Sequence, residues 1–266
     1  MPPSKVHQAT VVEHTTAGRG YYRLVLKTPG LAVQAKPGQF VMLRVSENRD
    51  PLLARPFGIA SVKAKHSIEL YYRVVGRGTS LLTEVSRGSI LGVVGPLGKG
   101  FPVPDQDMTP LLVCGGSGFP PLFYFAASLR RRAQLFLGAR NKESLPPSPV
   151  ITSIRKQVKK VHVATDDGSG GRKGFVTDLV TSFLDTHKAP SRCVIYACGP
   201  RAMMAAVAKL AAERGILCFV SLEERMACGL GVCMGCSVPI AAGGYKRVCK
   251  EGPVFDAREI EWSNKA

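Results

Sequence analysis

The chain has 266 residues, 45% hydrophobic and 21% charged, which is enough for two ordinary domains with real cores and excludes a disordered or fibrous polypeptide. Lys and Arg number 36 against 19 Asp and Glu, a formal charge of +17 that suits nucleic acid, an anionic membrane or an acidic partner without choosing among them. No apolar signal core follows Met1 to His7, and no apolar run approaches the roughly 20 residues of a membrane span, so the expectation is a soluble cytoplasmic protein with no membrane partner.

From residue 5 to about 100 the text is short β-like runs, at 22–26, 39–45, 68–75 and 90–94, broken by Gly and Pro, and it predicts an antiparallel barrel. Within it, Arg55-Pro56-Phe57-Gly58 offers a guanidinium for a diphosphate beside an aromatic face, or is simply a strand edge. Gly76-Arg77-Gly78-Thr79 precedes a short helical stretch and is either an anion-accepting helix start or a plain turn. A polar, Pro-rich linker spans 102–110. Beyond it, apolar strands at 111–114, 134–137, 160–164 and 194–197 alternate with helical stretches and predict a parallel α/β sheet. Leu122, Phe125, Ala126 and Leu129 share one helical face, as do Met203, Val207, Leu210 and Ala211, with Gly215 as the stop.

The first of these strands runs into Gly115-Gly116-Ser117-Gly118-Phe119-Pro120-Pro121. Small residues admit a phosphate, and Pro in the first helical turn leaves the positive end of the dipole free to meet it. The pattern is not G-x-G-x-x-G, and a structural turn is the other reading. Asp166 and Asp167 follow a strand where an acidic group can accept from a ribose 2′-hydroxyl and repel a 2′-phosphate, favouring NADH, although Asp-Asp-Gly-Ser also suits an exposed turn. Cys198-Gly199-Pro200 ends a strand at the edge where such sheets place ligands.

From Ser221 onward cysteines and glycines take over. Cys228, Cys233, Cys236 and Cys249 read C-x4-C-x2-C-x12-C, and the spacings among the first three cysteines are those of plant-type 2Fe-2S ligation. Four thiolates hold two irons, and Gly229, Gly231 and Gly235 let a tight loop turn its N–H groups toward the sulfurs. A structural zinc site on Cys233-x2-Cys236, or four unrelated thiols, are the competing readings. Cys114, Cys193 and Cys218 lie in apolar runs and read as ordinary buried thiols. The five histidines, His7, His14, His66, His162 and His187, lack ligand spacing. A basic, zinc-stabilised nucleic-acid module finds support in Arg130-Arg131-Arg132 and the charge, but no basic stretch carries the interleaved aromatics on which bases stack, so nucleic acid is not expected as a partner.

Together these segments, with Tyr72-Arg73-Val74, Gly95-Pro96-Leu97-Gly98, Glu223 to Cys228 and Tyr245 to Phe255, resemble the ferredoxin-NADP reductase superfamily over nearly the whole chain. More closely, they resemble the electron-transfer subunits of NAD-dependent, heteromeric dihydroorotate dehydrogenases. The resemblance implies an FAD-binding antiparallel barrel at 1–101, a parallel α/β NAD-binding domain at 107–220 and a small 2Fe-2S subdomain at 221–266. It puts FAD on Arg55 to Gly58, on Tyr72-Arg73-Val74 and on Gly78-Thr79. It puts NAD(H) over Gly115, Gly116, Ser117 and Gly118, with Asp166 at the ribose and Cys198-Gly199-Pro200 near the nicotinamide, and the cluster on the four C-terminal cysteines. Phe255 would approach the flavin. Gly58 departs from the family, which commonly has a hydroxyl residue at the flavin N5 edge. The implied function is electron transfer between NAD(H), FAD, the cluster and the FMN of a catalytic subunit, in a two-plus-two assembly serving pyrimidine biosynthesis. A NAD(P)H-ferredoxin reductase, or the small subunit of another multi-flavin complex, is the alternative.

Overall fold

Short apolar runs broken by Gly and Pro fold the first part of the chain into β1 (Val6–Gly18), β2 (Tyr21–Lys27), β3 (Phe40–Arg44), β4 (Arg55–Lys63), β5 (Ser67–Arg73) and β6 (Ile90–Leu97), with short helices α1 (Pro29–Ala32) and α2 (Arg77–Leu82) in the connections. This computed structural model describes residues 6–46, 50–130, 132–187 and 189–263; Arg131 lies outside them. The six strands close an antiparallel barrel in the order β1-β2-β5-β4-β3-β6. Leu24 and Leu26, Val41 and Leu43, Phe57 and Ile59, Ile68 and Leu70, and Leu91 and Val93 fill its interior. Each such burial contributes about 1.5–3 kcal/mol.

Two strands go beyond the expected four. β1 carries few apolar residues facing inward, Ala9 and Val11 among them, and bulges after Val11 and Thr16 break its alternation. β4 holds Pro56 and Gly58, both poor strand formers. Pro56 is tolerated because the ladder to β5 begins only at Ile59. β5 stops at Arg73, and the Val75 N–H that follows donates to Thr79 Oγ1 at 2.9 Å.

The second sheet contains β7 (Thr109–Gly115), β8 (Gln134–Ala139), β9 (Lys160–Thr165), β10 (Arg172–Lys173), β11 (Cys193–Cys198) and β12 (Leu217–Ser221), all parallel. Helices α3 (Phe119–Ser128) and α4 (Ser148–Arg155) cover one face, and α5 (Val176–Thr186) and α6 (Arg201–Glu213) the other. Gly215, at φ +64°, ends α6, with the Ile216 N–H returning to the Ala211 carbonyl at 2.9 Å. Thr109 and Pro110 belong to β7 rather than to a linker. Pro110 fits there because pairing with β8 starts at Leu111.

The C-terminal segment forms a hairpin of β13 (Ser237–Pro239) and β14 (Tyr245–Arg247), followed by β15 (Val254–Asp256). β15 adds an antiparallel edge to the second sheet, whose order is β10-β9-β8-β7-β11-β12-β15. Cys236, Val238, Val248, Cys249 and Phe255 share one buried cluster with α6 and with Phe40, Met42 and Leu97 of the barrel. The segment is therefore welded to both neighbours instead of standing apart. Among the described residues no helix is long and apolar enough to cross a membrane.

Candidate functional site

The alternation of β4 and β5 sorts the barrel residues singled out from the sequence. Phe57 and Tyr72 point into the barrel, where their rings meet edge-on at 5.9 Å and the Tyr72 hydroxyl is 2.9 Å from His14 Nε2. Pro56, Gly58 and Arg73 take the opposite register and face outward. Arg73 lies 5.2 Å above the ring of Tyr21, whose buried hydroxyl has no hydrogen-bond partner among the described residues. Gly58 meets α3 of the other domain: a Cβ there would stand 3.3 Å from Pro121 Cδ. Val74 is exposed.

At the barrel end, Arg55 crosses the start of α2. A Cβ on Gly78 would lie 2.7 Å from Arg55 Nε, so glycine is what lets the guanidinium settle there. The Thr79 hydroxyl is committed to the turn, accepting from Val75 N (2.9 Å) and Gly76 N (3.2 Å) and donating to Gly76 O (2.9 Å). The first N–H groups of α2 have no intrahelical acceptor and lie beside Arg55.

In the second sheet the chain reverses direction of growth between β7 and β11, the switch point where open α/β sheets take ligands. The two turns that leave these strands interlock. A Cβ on Gly118 would be 2.5 Å from the Cys198 carbonyl carbon, and one on Gly199, at φ +152°, would be 2.8 Å from the Gly115 carbonyl oxygen. One on Gly115 would strike Met203 Sδ at 2.5 Å. The glycines are thus required by backbone contact as well as by any ligand, and Gly116 and Ser117 are left as the open part of the turn. Cys198 is 1% exposed. Burial, then the charge of Glu223, raises its thiol well above the ordinary range, with Ser221 acting weakly the other way. It sits at the sheet's ligand edge as a protonated group.

Asp166 and Asp167 divide their work. Asp167 accepts from Ser169 N at 2.9 Å and Ser169 Oγ at 2.7 Å, and these bonds hold its carboxyl below the usual range. Asp166 is exposed, and among the described residues only its backbone is engaged, with N–H donating to Ala139 O at 3.0 Å. Two strand spacings, roughly 10 Å, separate it from the β7 turn. Glu223 had no sequence signal beyond its place before the cysteine block. The residue as a whole is exposed, but protein crowds its carboxyl group, and that desolvation raises its pKa; Cys114, Cys198 and Tyr21 all feel its charge.

The four C-terminal thiols gather as two pairs on one loop system. The outer pair is Cys228, partly exposed, and Cys233, exposed. The inner pair is Cys236 and Cys249, both buried, with the Cys249 N–H 3.4 Å from Cys236 Sγ. Burial acts to raise Cys228, but N–H groups of Cys233, Leu230 and Val232 outweigh it and bring the thiol down to about 6. Burial pushes Cys249 up to about 12. Gly229 (φ +67°) and Gly231 (φ +77°) make the turn. No three metal-binding side chains converge as a single-ion site among the described residues. Cys114, Cys193 and Cys218 are buried, as expected, and burial pushes Cys193 up to about 11 and Cys218 up to about 12.

Comparison with known proteins bears directly on this arrangement. Residues 4–101 match an oxidoreductase FAD-binding domain, 112–209 an oxidoreductase NAD-binding domain, and 223–261 the iron-sulfur cluster binding domain of dihydroorotate dehydrogenase B. The dihydroorotate dehydrogenase B (NAD(+)) electron transfer subunit of Desulforamulus reducens is 37% identical, over 97% of this chain and 99% of its own length. That of a Geobacillus species is 39% identical over 96% and 98%. The chain belongs to this family of electron transfer subunits. Among solved structures, that of an NADH-dependent reduced ferredoxin-NADP oxidoreductase is similar at TM-score 0.82 and 29% identity, covering 98% of this chain and 92% of that one. A ferredoxin reductase of carbazole 1,9a-dioxygenase shares the fold at TM-score 0.67 and 23% identity, covering 80% and 67%.

The electron transfer subunit is an NAD(H)-linked oxidoreductase component with FAD, NAD and iron-sulfur domains, and it works with a catalytic subunit. The residues present fit these groups. The orphaned Tyr21 hydroxyl and the Gly78 cradle under Arg55 suit a flavin nucleotide between the domains. Four thiols, with backbone N–H groups reaching the sulfurs of Cys228 and Cys236, suit a dinuclear cluster. Phe255 lies in the core, packed so closely that a Cβ on Gly252 would meet its ring at 2.3 Å.

Proposed function

We propose that this chain relays electrons between NAD(H) and the FMN of a catalytic subunit that oxidises dihydroorotate to orotate, in a two-plus-two cytoplasmic assembly. A bound FAD exchanges a hydride as an electron pair and passes electrons on singly, which a 2Fe-2S centre carries one at a time. In this reading Arg55, Gly78 and the start of α2 bind the flavin diphosphate, while Arg73 and the outward face of Pro56 and Gly58 orient the rest. Phe57, Tyr72 and Thr79 shape that face from behind. Gly115 to Gly118 and Cys198 to Pro200 seat NAD(H), with Asp166 on the ribose. Cys228, Cys233, Cys236 and Cys249 ligate the cluster. No acid–base group is required of this chain, since the proton chemistry of dihydroorotate falls to its partner.

One contact carries the reading. Gly229 of the cysteine loop rests on Met42 of β3, and Met42 stands opposite Pro56 in the β3–β4 ladder. The proposed cluster and flavin sites are thereby joined through a single pair of strands. Co-expression with flavoproteins that oxidise dihydroorotate tests the assignment. A co-purifying partner of equal stoichiometry and NADH-linked orotate chemistry are expected. Transfer to ferredoxin with no orotate-linked partner would overturn it in favour of a reductase. The surplus positive charge should steer an acidic partner, so raised salt should slow association.

A further inference from the structure

We infer that Arg247 is a positioning residue that holds the outer turn of the cysteine loop against the segment carrying Cys249. Arg247 ends β14, two residues before Cys249. Its Nε and Nη2 both donate to the Glu251 carboxylate, and its backbone N–H donates to Glu251 Oε2 at 2.7 Å. This grip fixes the plane of the guanidinium. The remaining arm, Nη1, donates to the Gly231 carbonyl at 2.6 Å. Gly231 lies midway between Cys228 and Cys233, and a Cβ on it would be 2.6 Å from Lys250 Cδ.

The loop therefore closes directly on the Cys249 segment. On the same segment the Cys249 N–H reaches back to Cys236 Sγ at 3.4 Å, so the strap that Arg247 ties to the loop is the one that carries the inner pair of thiols. The surroundings say why a tether is needed here. Cys233 is exposed, and Leu230, Val232 and Met234 also face solvent, so apolar packing does little to hold this turn down. Cys236 and Cys249 are by contrast anchored in the core. Arg247 supplies from the inner half what the outer half lacks. Only a planar fork can grip a carboxylate with two arms and a carbonyl with a third; a lysine ammonium cannot reproduce that geometry.

The inference rests on the four-thiolate reading of the cluster site. Its test uses the purified, FAD-loaded full chain with its cluster, comparing wild type with Arg247→Gln and Arg247→Lys. The measurements are iron release to a colorimetric chelator and the electron paramagnetic resonance spectrum of the dithionite-reduced cluster. Both variants are expected to release iron about tenfold faster or more, with shifted g-values, while flavin content and NADH–ferricyanide reduction stay at wild-type levels. Wild-type release and spectrum in Arg247→Gln would overturn the inference. So would full rescue by Arg247→Lys, which would reduce the role to charge. Should Arg247→Gln fail to accumulate with flavin, Arg247→Lys and Glu251→Gln carry the same expectation and the same refutation. A wild-type chain without acid-labile sulfide would overturn the four-thiolate reading instead.

Discussion

Gly229 lies against Met42 so closely that the ideal Cβ of residue 229 would fall 2.5 Å from Met42 Cγ, at a backbone φ of +67°. Alanine there meets both a left-handed penalty of about 1–2 kcal/mol and a steric collision. Gly229→Ala should lift the cysteine loop from β3 while leaving the barrel intact. Iron and acid-labile sulfide per FAD should fall by about tenfold. A variant with a full complement of cluster would show that this contact does not set the loop.

Gly118 is fixed by a different neighbour, the backbone of Cys198, which no rotamer change can move. Gly118→Ala should separate the β7 and β11 turns and destabilise the protein by about 3 kcal/mol, or roughly 6–12 °C in Tm. NADH-dependent ferricyanide reduction should fall as well. An unchanged melting curve would refute the interlock.

Coenzyme preference should depend on Asp166 and not on Asp167, because Ser169 already occupies the second carboxylate. Asp166→Ser should raise the NADPH to NADH ratio of kcat/KM about tenfold, equivalent to about 1.4 kcal/mol. Asp167→Ala should leave that ratio nearly unchanged and loosen the turn. Equal effects from both substitutions would remove the distinction.

Glu223 has its pKa raised by desolvation, so the folded chain holds its proton to higher pH than the unfolded chain does. Stability is thus lost as pH rises from the ordinary carboxylate value through the folded one. Glu223→Gln should melt at a higher temperature than wild type at pH 7, with the difference disappearing near pH 4. A difference that persists in acid would place the effect in packing.

The barrel shows how far pattern reaches. The run at 90–94 buries every second residue, and it and the apolar run at 22–26 lie within real strands, whereas β1 was hidden by its polar residues and bulges and β4 by Pro56 and Gly58. In the second sheet, β15 was invisible because three residues carry no periodicity; its place comes from pairing with Val220. Glu223 was missed for a related reason. Its environment is assembled from Tyr21, Cys114 and Cys198, which are remote in sequence.

By itself, the order of residues determined the barrel, the parallel sheet and the cysteine spacing, since alternation, helical period and ligand intervals are local and survive in one dimension. Only the tertiary structure decided which side of each strand faces a ligand, that Gly118 and Gly199 serve backbone contact, that Asp166 rather than Asp167 is available, and that the cysteine loop leans on Met42. Those outcomes depend on which distant segments meet, and burial, desolvation and steric fit exist only once they have met.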